Sequence, residues 1–241
     1  VKFLTPKQVK EIWPLCNIEG LIGAIQHPED GYIQPADLTQ ALATGARNKG
    51  AEIYRNTTVI GIKQNKDGWV VETDKGSIEC EHVVSCSGNF ARQTGKMVGL
   101  EIPVIPVEHQ YIVTEPHPEI QKRKKDGLPE MGVLRDSDTQ WYMREEAGGL
   151  LLGPYEKGAP CCYVDGPSKD SEYELFQEDL ERLAPHIEGA IHRVPAFGEV
   201  GVKKVYNGAI CYTPDGNPIV GPAWGLKNFW INEGHSFGIT A

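Results

Sequence analysis

The sequence predicts an α/β chain in two interleaved parts: a mixed ligand-side layer, and an α+β part built on an antiparallel sheet. Three observations carry this prediction. Strand-like runs at Thr58–Gln64, Trp69–Thr73 and Ser77–Cys86 follow one another with turn residues between them. From Val107 to Gly153 comes a second run of strands, followed by one helical stretch. From Tyr206 the chain returns to short strands, each flanked by glycines and turns. The ligand-side layer is expected over about Pro35–Gly99 and again from about Tyr206, with the antiparallel sheet and one helix between them.

Each element has a local reason. Thr5-Pro6 reads as an N-cap followed by proline in the first turn, opening a short helix to Trp13. Pro35 opens a longer one, with Leu38, Leu42 and Ala46 on one face and Gly50 placed to end it. Asp67-Gly68 and Lys75-Gly76 supply the hairpin turns of the first strand run. A short helix over Phe90–Val98 stops at Gly99. Three prolines (Pro103, Pro106, Pro116) bracket the strand Val107–Thr114, and Gln140–Arg144 and Leu150–Gly153 read as two strands joined near Gly148-Gly149. Ser171-x-x-Glu174 is read as a capping box opening a helix with Tyr173, Phe176, Leu180 and Leu183 on one stripe, stopped by Pro185.

Composition narrows the function classes. At 241 residues and 40% hydrophobic, the chain can bury a substantial core. Its 24 basic and 33 acidic residues give −9, which argues against nucleic acid and anionic membrane surfaces as partners. The run Lys122–Lys125 reads as a solvated helix end or loop. No apolar stretch approaches the ~20 residues needed to span a bilayer. Six cysteines form no C-x-x-C, seven histidines form no H-E-x-x-H, and Asp136-Ser-Asp138 lacks the other ligands of a calcium loop. Reduced thiols and no metal are the expectation.

Two segments have the character of a ligand site. In Val83-Val-Ser-Cys-Ser-Gly88 an apolar strand runs into small residues at its carboxyl end, where α/β folds place ligands; from these residues alone an ordinary turn after a buried strand is the preferred reading. In Gly234-His-Ser-Phe-Gly238 two glycines bracket a loop that can lie against a flat ligand, with a helix expected to begin just after it. On the other part, His109 and Tyr142 are lone polar residues in strands, where a structural role is the ordinary one. Arg144 shares Tyr142's strand face and is a candidate for a carboxylate, as is Lys203-Lys204.

Five segments in fixed order carry a family resemblance: Asp30-Gly-Tyr-Ile-Gln-Pro35, Val84–Gly88 with Phe90-Ala-Arg92, Val107–Thr114, Leu150–Glu156 and the tail from Tyr206. The chain resembles the FAD-dependent amine oxidoreductases of the D-amino-acid-oxidase fold, nearest to the dimethylglycine and sarcosine dehydrogenases. The resemblance implies an FAD-binding part over 31–102 with 205–241 and a substrate part over 1–30 with 103–204, the former incomplete because the G-x-G-x-x-G turn of that family is absent here. With Val1 at one end and a motif interrupted at Ala241 at the other, the chain reads as an internal fragment, inactive on its own.

By the same resemblance, Val59, Ser87, Gly88, Phe90, Gly234, His235, Ser236, Phe237, Gly238 and Ile239 hold FAD, with Val59 at the adenine and Phe90 beside the flavin. His109 and Tyr142 serve catalysis on a small N-methyl amine, oxidised by hydride transfer to flavin N5. Oxygen or an electron-transfer flavoprotein accepts the electrons, and a downstream domain offers a tetrahydrofolate site. The implied compartment is the bacterial cytoplasm, or the mitochondrial matrix in a eukaryote. Two alternatives stay open: a D-amino-acid or glycine oxidase on the same fold, and a non-catalytic flavoprotein subunit.

Overall fold

The computed structural model describes residues 1–168, 171–172 and 174–238. In chain order its elements are β1 (Lys2–Leu4), α1 (Pro6–Ile12), β2 (Ala24–Gln26), α2 (Pro35–Asn48), β3 (Val59–Gln64), β4 (Trp69–Thr73), β5 (Gly76–Cys80) and β6 (Val83–Ser85). They continue with α3 (Ala91–Met97), β7 (Ile105–Thr114), α4 (Pro118–Lys125), β8 (Leu134–Asp136), β9 (Trp141–Glu146) and β10 (Gly149–Pro154). The last are α5 (Leu180–Arg193), β11 (Val202–Tyr212), β12 (Ile219–Pro222) and β13 (Phe229–Glu233).

The chain forms two compact units. One holds Val1–Tyr32, His109–Ala159 and Glu174–Gly208; the other holds Ile33–Glu108, Pro160–Tyr173 and Ala209–Ala241. Residues 160–173, expected with the sheet part, group with the second unit. A bridge between Val107 and Cys161, and the Cys162 N–H on the Pro106 carbonyl (2.9 Å), tie them there.

The first unit is organised by a five-stranded sheet in the order β11-β7-β10-β9-β8. Side chains alternate across a sheet, so each strand commits every second residue to the core. Ile112, Trp141, Met143, Leu150 and Leu152 fill one face, against Leu183 and Ala190 of α5 and Val9 and Trp13 of α1. The intervening residues (His109, Tyr111, Tyr142, Arg144) are only half buried, on the opposite face. The β9–β10 hairpin turns on Ala147 and Gly148, both with positive φ (50° and 81°), the backbone of a type I′ turn. Thr5 caps α1 as the sequence predicts, in a reciprocal capping box with Gln8.

The helix predicted from Ser171 is corrected. Helix α5 begins at Leu180, where Asp179 Oδ1 accepts the Arg182 N–H (3.0 Å). The segment before it is not helical; there the Phe176 N–H pairs with the Asn207 carbonyl (2.8 Å). Tyr173, part of the expected stripe, lies outside the described residues. Pro185 does not stop the helix but sits inside it, at the loss of one i→i−4 hydrogen bond. Burial of Leu183, His186 and Ala190 along one face holds the helix together around it.

The second unit carries two three-stranded sheets, β3-β4-β5 and β12-β13-β6. The single strand predicted over Ser77–Cys86 is also corrected. It breaks at Glu81-His82 into β5, antiparallel to β4, and β6, parallel to β13. Two sheets compete for one apolar run, and the break lets each take half. Trp69 of β4 packs edge-on against Phe229 of β13, ring centroids 5.2 Å apart, and its indole N–H reaches the Lys227 carbonyl (3.1 Å). Ile62, Leu100, Ile102, Val104 and Ile231 complete this core.

Candidate functional site

Register on the open face of the five-stranded sheet groups the polar and aromatic side chains of the first unit. On β10, Gly153 lies opposite Tyr142 of β9, and continuing the β7–β10 register from Leu152↔Ile112 sets Tyr111 on Gly153's other side. Gly153 is what lets this row close. A Cβ there would come within 2.1 Å of Tyr142 Cζ, so the phenol ring lies flat over the bare backbone. Tyr142 also meets Tyr155 at a tilt, centroids 5.9 Å apart. Tyr111 stacks on Tyr206 at 4.7 Å with an interplanar angle of 16°, and Lys204 Nζ stands 4.5 Å above the Tyr206 ring. Burial, then the neighbouring tyrosine, raises the phenol pKa of both Tyr142 and Tyr111. Both are therefore protonated donors at neutral pH.

His109 is two residues before Tyr111 on the same strand, hence on the same face. Its Nδ1 lies 3.6 Å from Glu156 Oε1. Burial lowers the imidazole pKa, opposed by the Glu156 charge and aided by Arg182. His109 is thus a neutral base near pH 7. His109 and Tyr142 stand two strand spacings apart and two residues out of line along the strands, roughly 12 Å between backbones. They share a face without touching, and Tyr111 and Tyr155 occupy the ground near them. Arg144, the candidate carboxylate ligand, is committed elsewhere: its Nη1 pairs with Glu146 Oε2 (2.6 Å), and its guanidinium lies 4.5 Å from the Tyr32 ring centroid.

The second unit arranges the other predicted residues around β6 and β13. Because these strands are parallel, the loops after them, Ser87-Gly88 and Gly234–Gly238, lie at neighbouring carboxyl ends. Gly234 has φ +77°, and a Cβ there would strike Thr213 Cγ2 at 2.4 Å. Thr213 is held there by donating its hydroxyl to the Asn217 carbonyl (2.7 Å). His235 pairs with Asn232 Oδ1 (2.7 Å), Ser236 is buried, and Phe237 is exposed. Val59 opens β3 and Phe90 ends the 3-10 turn after Gly88, both partly exposed. Ile239 lies outside the described residues.

Sequence reading missed Glu233. Its carboxylate, 1% exposed, accepts from the Ser85 hydroxyl (2.6 Å), the Ser87 N–H (2.6 Å) and hydroxyl (2.9 Å), and the Gly88 N–H (2.8 Å). The backbone donors of the Ser87-Gly88 turn are therefore already satisfied. What that turn offers a cofactor is small size and a fixed shape. Asn89 Oδ1 accepts from Cys211 Sγ (2.9 Å), whose thiol burial and Glu233 push up to about 11, leaving it protonated and unreactive at neutral pH. Turns this small leave the backbone open to the edge of a flat ligand. Among the described residues no three His, Cys, Asp or Glu converge as a metal site, and no helix is long and apolar enough to cross a membrane.

The sequence model of the family described as "FAD dependent oxidoreductase" matches residues 1–241. The chain is 39% identical over 242 residues to dimethylglycine dehydrogenase, mitochondrial, of Rattus norvegicus, covering 98% of the chain and 28% of that protein. It is 33% identical over 237 residues to sarcosine dehydrogenase, mitochondrial, of Mus musculus, covering 96% and 25%. The chain spans about a quarter of the length of these curated relatives. Among solved structures, L-proline dehydrogenase from P. horikoshii matches with a TM-score of 0.81 at 27% identity, over 98% of this chain and 59% of that one.

Proposed function

The chain belongs to the FAD dependent oxidoreductase family, and from that premise we propose that it is part of an enzyme oxidising a small N-methylated glycine, dimethylglycine or sarcosine. The observation that carries this reading is the open sheet face of the first unit. There a neutral imidazole shares one surface with the Tyr142, Tyr111 and Tyr206 rings and a lysine. Aromatic faces attract a methylated ammonium group. An amine must shed its proton before it can be oxidised, and His109 is the group on this face able to take that proton near pH 7. Tyr142 and Tyr111, held protonated, orient the amine by donating hydrogen bonds. Among the described residues no ion pair occupies Lys204, which makes it the carboxylate partner in place of Arg144.

In this reading the second unit holds FAD with Ser87, Gly88, Gly234, His235, Ser236 and Phe237, and Val59 and Phe90 line the same cofactor. FAD, when bound, supplies the acceptor for the two electrons taken from the substrate. The test is anaerobic mixing of the full-length protein with dimethylglycine, sarcosine, glycine and D-alanine, following the flavin absorbance. Bleaching by the N-methyl amines and not by the others supports the substrate class. Bleaching by D-alanine or glycine alone replaces it with an amino-acid oxidase.

A further inference from the structure

Glu156 follows β10 and belongs to the first unit, with its side chain 1% exposed. A carboxylate so deeply buried is retained only where its charge and lone pairs are matched. One oxygen, Oε1, accepts the Gln110 N–H (2.7 Å); the other, Oε2, accepts the Gln110 side-chain amide (3.0 Å) and Arg182 Nε. Arg182 comes from the first turn of α5 and also meets Asp179 Oδ2 at 3.3 Å. Gln110 is itself fully buried and returns to α5 by accepting the Asp179 N–H (2.8 Å). The result is a rigid polar joint between β7, the end of β10 and the start of α5. At 3.6 Å from one edge of this joint is His109 Nδ1.

We propose that the buried Glu156–Arg182 pair is a positioning unit for His109: it turns Nδ1 toward the carboxylate, leaves Nε2 as the free base, and sets the ring's charge state. The proposal rests on the reading that His109 serves as the base of an amine oxidation. The physics is a balance of two opposite charges. A lone buried carboxylate at this distance would hold the imidazole protonated through neutral pH and make it useless as a base. Arg182, bonded to the same carboxylate, cancels most of that field. The charged groups facing the imidazole are Glu156 from the end of β10 and Arg182 from α5, with Asp179 behind Arg182. Burial then decides the outcome in favour of the neutral ring. Orientation comes from the same joint, because the two Gln110 bonds prevent the carboxylate from swinging away.

The experiment is a histidine titration by NMR on the full-length protein with 13C- and 15N-labelled histidine, the His109 signals being identified by their loss in His109→Asn. Long-range 15N correlations give the tautomer, expected to carry its proton on Nδ1. Glu156→Gln removes the negative charge and keeps the shape, so the midpoint of His109 should fall by about one pH unit. Arg182→Gln leaves the carboxylate unbalanced, so the midpoint should rise by a similar amount, whereas Arg182→Lys should stay near the parent value. Opposite shifts in the two Gln variants, with the Nδ1–H tautomer in the parent, support the pairing. No shift in either variant, or an Nε2–H tautomer in the parent, overturns it. Because Arg182→Gln leaves the buried Glu156 charge unpaired and can unfold the protein, Glu156→Gln alone is sufficient: an unmoved midpoint in that variant refutes the proposal. The titration needs no turnover. Shifts as expected, with a pH profile of kcat/KM that fails to follow them, would leave the joint in place and reject His109 as the base.

Discussion

Tyr142 lies flat because residue 153 has no side chain, and the two positions stand or fall together. Gly153→Ala would drive a Cβ into the phenol at 2.1 Å from Cζ. Overpacking of this kind costs about 1–3 kcal/mol, read as a lower urea midpoint, and lifts the ring off the sheet face. If Tyr142 donates to the substrate, kcat/KM should fall about tenfold or more, and Tyr142→Phe should reproduce the kinetic loss without the stability loss. His109 makes a prediction about pH. Its folded pKa lies below the ordinary 6.5, with burial the main cause. The unfolded chain therefore binds that proton first, so the contribution to stability is intact above pH 6.5 and is lost as pH falls through the lowered value. Denaturant midpoints measured from pH 8 to pH 5 should decline across that window, and His109→Gln should flatten the decline. In the sequence His109 and Tyr142 are candidates only through resemblance. Tyr111 was open to simple alternation from His109, two positions along one strand. Glu156 and Glu233 were not legible, since a buried carboxylate looks like a solvated one until its partners are known.

Capping and turn chemistry explain why some segments read correctly and others did not. Thr5 with Gln8, and Ala147-Gly148 between two strands, act on their immediate neighbours, so local residues suffice. Ala147 sits at φ +50°, a conformation that strains a residue with a Cβ; Ala147→Gly should gain about 1 kcal/mol in urea unfolding with no change in flavin reduction. The misread helix start shows the opposite case. Ser171-x-x-Glu174 has the sequence of a capping box, yet the chain nearby bonds to β11 and Asp179 caps the helix instead. Distant hydrogen bonds outweigh a cap worth about 1 kcal/mol. Glu233 exerts the same long-range control on the Ser87-Gly88 turn. Glu233→Ala would strand buried donors of Ser85, Ser87 and Gly88 together and should cost about 2–5 kcal/mol, with loss of bound FAD measured by flavin fluorescence after gel filtration.

The arrangement of whole sheets also leaves apolar surface uncovered. Val84, Trp230 and Val220 are 57%, 39% and 67% exposed on one face of the β12-β13-β6 sheet, and α2 buries no residue. A contiguous apolar face binds reporter dyes, so the 241-residue chain by itself should enhance the fluorescence of an anilinonaphthalene dye, and Val84→Ser with Trp230→Ser should halve the signal or better. Composition, turn signals and the spacing of strands were enough to establish a mixed α/β chain with glycine-rich turns after strands. These features are short-range, and each is written into a few consecutive residues. Partner choice was decided by tertiary structure alone. Ser77–Cys86 divides between two sheets, Arg144 is spent on Glu146 and Tyr32 rather than left for a ligand, and Glu156 meets Arg182 from 26 residues away. Such pairings depend on which surfaces the folded chain brings within a few ångströms, where burial strengthens every charge and hydrogen bond, and no local pattern encodes that proximity.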